Sequence, residues 1–350
     1  MNRREFLKMS LSAGAFFGGL SPFSRGLSPA FGAPPPDKKV WAALLHIGTN
    51  MWCDIPPKHW GNCKTPEELA EVGSADHLRF NEDVWRAVTG RMQAVGMNMV
   101  VIDVGEALAY PSHPELGVKG SWSVERFRAE LARLRGMGLE PIPKLNFSTA
   151  HDTWLKEYGR MVSTSTYYKV CADVIRDVCE VFDHPRWFHL GYDEETAGHQ
   201  SQYEYTVVRQ GELWWHDFLF FVKTVEGLGM RPWIWSDYYW HHPDLFLQRM
   251  PKSVLQSNWY YGAQFDDAKD FAKKRVQAYV DFDKAGFDQV PCGSNWSCDE
   301  NFGGTVSFCR KNVSADRLKG YLMAPWFFTT ESKRQKLLQA VDQVGAAMKT

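Results

Sequence analysis

Gly136-Met137-Gly138-Leu139-Glu140-Pro141 and, further along, Gly227-Leu228-Gly229-Met230-Arg231-Pro232 share one pattern: two glycines astride a long apolar residue, then a charged residue and a proline. Each follows a stretch with helical periodicity. Phe127, Leu131 and Leu134 share a face before the first, and Phe218, Phe221 and Val225 before the second. A glycine ends a helix because it takes the left-handed conformation without a side-chain clash, and the apolar residues beyond it read as a buried strand. This is the helix-to-strand junction of a repeating β/α unit. Outward from the two junctions, short apolar runs recur at 41–47, 99–104, 140–145, 187–190, 232–235, 254–256, 289–292 and 321–324, eight in all. Helical stretches lie between them, and the last one gathers Leu337, Leu338, Val341 and Val344. Eight strands interleaved with helices in 350 residues predict an α/β chain folded as a (β/α)8 TIM barrel, a single domain over 37–350. No GxGxxG follows the first run, so a dinucleotide-binding open sheet is not expected.

Composition narrows the function classes. Forty Lys plus Arg against forty-one Asp plus Glu leave a formal charge of -1, without the basic excess that nucleic-acid binding needs. With 44% hydrophobic and 23% charged residues the chain can bury a full core. Fifteen Trp, thirteen Tyr and twenty-two Phe are the unusual feature, and they fit either a Trp-rich core or a surface lining sugar rings. Residues 1–36 read as a twin-arginine signal peptide and linker: Arg3-Arg4 and Phe6-Leu7-Lys8, a weak apolar run too short to span a bilayer, then small residues suited to cleavage near Ala30–Ala33. The expectation is a periplasmic or secreted protein with no membrane attachment after cleavage. The seven cysteines have no zinc-site spacing; an oxidising compartment would allow Cys53 with Cys63, or Cys292 with Cys298, to close loops, while Cys171 and Cys179 read as helix core.

A barrel collects its chemistry at the C-terminal ends of its strands. Just past the runs stand Asn50 and Trp52; Asp103 and Glu106; Asn146 and His151; Asp193, Glu194 and Glu195; Ser236, Asp237 and Tyr238; Asn258, Trp259 and Tyr260; Asn295 and Trp296; and Trp326. Carboxylates for proton transfer, amides for hydroxyls and indoles for ring faces make a carbohydrate-type site. Trp235, Trp259, Trp296 and Trp326 are the expected sugar platform, although Trp233 and Trp235 alternate along one strand and one of them can be barrel packing. Asp103, Asn146, His151, Asp237 and Asn258 are the expected polar contacts to substrate. His241-His242 without a third ligand at metal spacing reads as loop.

The most specific segment is Phe188-His189-Leu190-Gly191-Tyr192-Asp193-Glu194-Glu195. It resembles the H-x-G-G-D-E motif of family 20 glycoside hydrolases, the β-N-acetylhexosaminidases. Upstream, Met97-Asn98-Met99 through Asp103, Tyr110-Pro111, Pro114-Glu115-Leu116, and Pro141-Ile142-Pro143-Lys144-Leu145-Asn146 with His151 are similar to that family's second and third strand regions, so the resemblance is best over 88–200. Gly320 to Trp326 is faintly similar to its last strand. The resemblance implies that Glu194 is the acid-base residue. Asp193 would orient a 2-acetamido group whose oxygen attacks the anomeric carbon, so that neither an enzyme nucleophile nor a cofactor or metal is needed. Departures are specific. Tyr192 stands where the family has a small residue, Lys144 where it has Glu, and Ser148 and Thr149 where it has Pro-Gly. The first strand, Leu44-Leu45-His46-Ile47-Gly48, lacks the family's sugar-holding arginine, and no Glu follows Trp326.

The residues themselves separate Asp193 from Glu194: adjacent carboxylates in one pocket push their pKa values apart, leaving one an acid and one a base. The acidic triplet read alone also fits a charged helix N-terminus. Three classes remain open: an exported glycosidase acting on an amino sugar, a non-catalytic carbohydrate-binding barrel, and a metal-dependent barrel hydrolase, which the lack of His-x-His on the first run disfavours. A carbohydrate is the expected partner in the first two.

Overall fold

The first expected junction shows how the strands are launched. Helix α3 (Val124–Gly136) runs two residues past its last buried leucine, Leu134, and closes through Met137, and Gly138 turns the chain at φ 77°. Gly229 does the same at φ 81° after α5 (Gly211–Gly227). The second glycine of each pattern therefore carries the left-handed turn. Each turn delivers the chain into a parallel strand, β3 (Glu140–Lys144) and β5 (Arg231–Trp235), buried from its second residue on.

The computed structural model describes residues 38–60 and 63–350; the expected signal segment lies outside them. The described residues form one compact unit. The remaining strands are β1 (Val40–His46), β2 (Met99–Asp103), β4 (Trp187–His189), β6 (Leu255–Ser257), β7 (Cys292–Gly293) and β8 (Gly320–Met323). All pair in parallel in the order β6-β5-β4-β3-β2-β1-β8-β7. Backbone bonds from Gln256 N to Asp288 O (3.0 Å), Val290 N to Gln256 O (2.9 Å) and Cys292 N to Asn258 O (2.9 Å) join β6 to the β7 segment and close the ring. The regular part of β7 is shorter than the expected 289–292 because Pro291 has no N–H to give the ladder.

Outside the barrel lie α1 (Pro66–Val72), α2 (Glu82–Val95), α4 (Ser165–Val181), α6 (Tyr238–His241), α7 (Pro243–Arg249), α8 (Asp270–Lys284), α9 (Asn301–Asn312) and α10 (Arg334–Ala347). Asn81, Ser123 and Thr164 cap α2, α3 and α4 by accepting the N–H of Val84, Arg126 and Tyr167. With helices on its outer face and side chains filling its inside, a parallel strand is apolar on both sides, and every residue of β1 is buried.

One layer of the barrel is polar. His46, Asp103, Lys144 and His189 are register partners across β1–β4, at or next to the strand ends that face the site. Lys144 donates to Asp103, and both are withdrawn from solvent. Burial and the Lys144 charge drive His46 down to about 3 and His189 well below the ordinary imidazole range, so both rings are neutral.

Candidate active site

The chain leaving β4 is held in an uncommon path. Gly191, Tyr192 and Glu194 all have positive φ, at 66°, 75° and 55°. A side chain at Gly191 would stand 2.2 Å from Asn146 Oδ1, so only glycine fits there. Asn146, at the end of β3, secures the turn: its Oδ1 accepts from Tyr192 N and Ser148 N, both at 3.0 Å, and its Nδ2 donates to Asp193 Oδ1 at 2.8 Å. A left-handed non-glycine residue costs about 1–3 kcal/mol and persists where the surroundings over-determine it. Here Tyr192 is packed against Trp214 and Phe218 of α5 at 5.1 and 5.2 Å, with the Arg209 guanidinium 4.7 Å above its ring. The Tyr192 ring thus packs against the helix layer.

The three acidic residues have three environments. Asp193 is buried and fixed by Asn146. The Glu194 side chain keeps 26% exposure and is flanked by two imidazoles: His151 Nε2 stands 3.3 Å from Oε2, and His199 Nε2 3.2 Å from Oε1. His151 Nε2 also lies 3.5 Å from Asp193 Oδ2. Glu195 turns away into Arg209, which gives it bonds of 2.8 and 2.6 Å, and into the backbone N–H of Thr149 and Arg209. Burial pushes the Glu194 carboxyl up, but His151 and His199 outweigh it and hold the group well below the carboxylate range. Burial pushes His151 down, and the charges of Asp193 and Glu194 reverse this and raise it. His199 is raised by its contact with Glu194. Beneath them Asp237 accepts from Glu194 N at 2.9 Å, and burial plus the Asp193 charge lift it to about 7.

These groups open into a cavity of roughly 670 Å³. Asn146, His151, Asp193, Glu194 and His199 form its polar part; Trp52, Trp259, Tyr261, Trp296, Trp326 and Phe328 form aromatic walls. Trp259 stacks on Tyr261 at 5.0 Å, the Tyr261 hydroxyl accepts from Trp326 Nε1 at 2.9 Å, and Trp52 stacks on Phe328 at 5.0 Å. Trp326 is itself left-handed, at φ 58°. Lys333, Lys336, Glu68 and Glu71 stand among the other lining residues.

Of the expected substrate contacts, Asn146, His151, Trp259, Trp296 and Trp326 line this cavity with Asp193 and Glu194. Asp103, Trp235, Asp237 and Asn258 do not. Asp103 is spent on Lys144 inside the barrel. Trp235 is 1% exposed, wedged between His189 and Trp326 at 4.5 and 5.7 Å, so it belongs to the core and not to the sugar platform. Asp237 carries the Glu194 backbone. Asn258 accepts from Trp240 Nε1 at 2.9 Å and donates to Arg275 O at 2.7 Å, tying down α6 and α8. All seven cysteines are unpaired, so neither Cys53 with Cys63 nor Cys292 with Cys298, the pairings the sequence allows, is joined. His199 and Tyr261 line the cavity as well, beyond the residues expected from the sequence. Tyr261 follows Trp259 at the two-residue spacing of an extended chain, a readable signal; His199 sits in an irregular loop and gave none.

No family model and no curated protein sequence matches the chain. Solved structures match its fold. A β-N-acetylhexosaminidase from Bacteroides fragilis superposes with a TM-score of 0.56 at 13% identity, over 87% of this chain and 65% of its own. A GH20 exo β-N-acetylglucosaminidase from Vibrio harveyi gives 0.56 at 13%, over 87% and 54%. Dispersin B gives 0.55 at 13%, over 88% and 99%. The chain spans less than two thirds of the length of the first two structures and nearly the whole of dispersin B. The molecule is thus a (β/α)8 barrel of the form found in family 20 glycoside hydrolases; at this identity the likeness is one of fold.

Proposed function

We propose that the protein is an exported glycoside hydrolase that cleaves a β-linked N-acetylhexosamine, or a closely related sugar, with retention through the substrate's own acetamido group. One observation carries the reading: Asp193 and Glu194 stand side by side in an aromatic-walled cavity, Asp193 fixed by Asn146 and Glu194 set between two imidazoles. The solved structures of similar fold, which their names describe as acting on N-acetylated sugars, support the same class. Export rests on the Arg3-Arg4 segment of the sequence.

In the proposed reaction the acetamido oxygen forms a bond to the anomeric carbon as the glycosidic C–O bond breaks. Asp193 holds the acetamido N–H and balances the positive charge that develops there. The leaving oxygen takes a proton from Glu194. In the free protein the His151 and His199 contacts favour ionised Glu194, so the proton reaches it from the imidazolium 3.3 Å or 3.2 Å away as the sugar displaces water and the leaving oxygen becomes basic. Glu194 then takes a proton from the water that opens the cyclic intermediate.

The ionised state of Glu194 in the free protein also favours a second reading, a carbohydrate-binding barrel without turnover. A screen of aryl glycosides with and without a 2-acetamido group separates the two. Release of aryl alcohol only from the acetamido sugars supports the proposal. Equal turnover of both sets contradicts substrate assistance, and saturable binding without release assigns the site to recognition alone.

A further inference from the structure

The geometry points to a second ligand for this site, a divalent first-row transition ion such as Zn2+, held by His151 Nε2, Asp193 Oδ2 and Glu194 Oε2. One donor atom from each of these three residues lies within 4.8 Å of the other two, and among the described residues they form the one group of His, Cys and carboxylate donors so placed. Two of the separations are 3.3 and 3.5 Å. A tetrahedral Zn2+ with bonds of about 2.0–2.2 Å sets its donors about 3.3–3.6 Å apart, which both His151 separations already match.

A second observation concerns His151 itself. The residue is only 5% exposed, yet neither ring nitrogen makes an aligned hydrogen bond; Nε2 points between the two carboxylates without settling on either. His151 Nε2 thus meets the carboxylates only at 3.3 and 3.5 Å and out of hydrogen-bond alignment, and an ion at the common focus of the three donors would give it a directed partner. Asp193 is already oriented for the role by the Asn146 amide on its other oxygen, the outer-shell support that metal-ligating carboxylates receive. A fourth position would face the cavity, where water or a sugar hydroxyl can complete the shell.

The absence of any support on His151 Nδ1 argues for an exchangeable ion and not a resident one. An ion there would occupy the lone pairs of Asp193 and Glu194, so metal and glycoside would exclude one another. The inference does not depend on the glycosidase reading, since metal binding requires no turnover.

Calorimetric titration of the full chain with Zn2+ in a non-coordinating buffer tests it, with His151→Gln and Glu194→Gln alongside and their melting checked against the parent. The expected result is one ion per chain, with affinity weakened about tenfold or more in each variant. Absence of saturable binding would overturn the proposal. So would binding that both variants retain unchanged, because the ion would then sit elsewhere, for example at His241-His242 or a cysteine. Mg2+ should not compete, as harder ions prefer sites built from oxygen alone; displacement of Zn2+ by equimolar Mg2+ would also contradict the assignment.

Discussion

Arg209 grips Glu195 through two bonds, 2.8 and 2.6 Å long, and so removes from the cavity the carboxylate adjacent to Glu194. The same guanidinium reaches Asp217 at 3.2 Å and the Phe147 carbonyl at 2.8 Å. The acidic triplet is thereby divided into two residues that face the site and one that pins the loop after β4 to α5.

Glu195→Gln should therefore act on stability. Arg209 would keep Asp217 at 3.2 Å, so the cost should stay below that of a buried charge left with no partner and match the about 1.5–3 kcal/mol of a lost charged hydrogen bond. Urea unfolding of the variant should show a loss of that order. A stable Glu195→Gln protein whose rate depends on leaving-group basicity would instead make Glu195 the acid.

The flanking of Glu194 predicts a pH-dependent contribution from His199. Its folded pKa is raised, so its stabilisation is full below the unfolded value of about 6.5 and fades as pH rises through the folded one. Glu194 is depressed, so its share is present above about 4.3 and fades as pH falls through its folded value. The melting difference between the parent and His199→Gln should be greatest between these limits and shrink on both sides. A difference that stays flat from pH 4 to 9 would show that the contact carries no charge coupling.

Two tryptophans beside the site should behave oppositely. Trp296 is 42% exposed at the cavity, so Trp296→Ala should raise KM with little loss of stability. Trp235 is 1% exposed, and Trp235→Ala should cost about 3–5 kcal/mol in urea unfolding. Stability losses of equal size in both would place Trp296 in the core.

The barrel was legible because parallel strands covered on both faces leave unbroken apolar runs, and the glycine junctions at Gly138 and Gly229 mark where each helix gives way. Only the seventh run differed by more than a residue at its ends, where Pro291 interrupts the ladder. The Asp193-Glu194 pair was legible as a motif, but its surroundings were not. A polar residue at a strand end can rise into the cavity, as Asn146 does, or sink into a buried layer, as Asp103 does beside Lys144. The two cases read alike in sequence because the difference lies in which partner a neighbouring strand supplies. His199 reaches Glu194 from an irregular loop whose path no periodicity encodes.

The account rests on Glu194 as proton donor with Asp193 acting on the acetamido group, and leaving-group dependence tests this most directly. Rates should be measured on 2-acetamido aryl glycosides with good and poor leaving groups, for the parent, Glu194→Gln and Asp193→Asn. Glu194→Gln should lose on the order of 10²–10⁴ in rate with poor leaving groups and much less with activated ones. Asp193→Asn should slow both sets alike, since it serves the attack and not the departure. Equal losses for both leaving groups in Glu194→Gln would contradict the assignment.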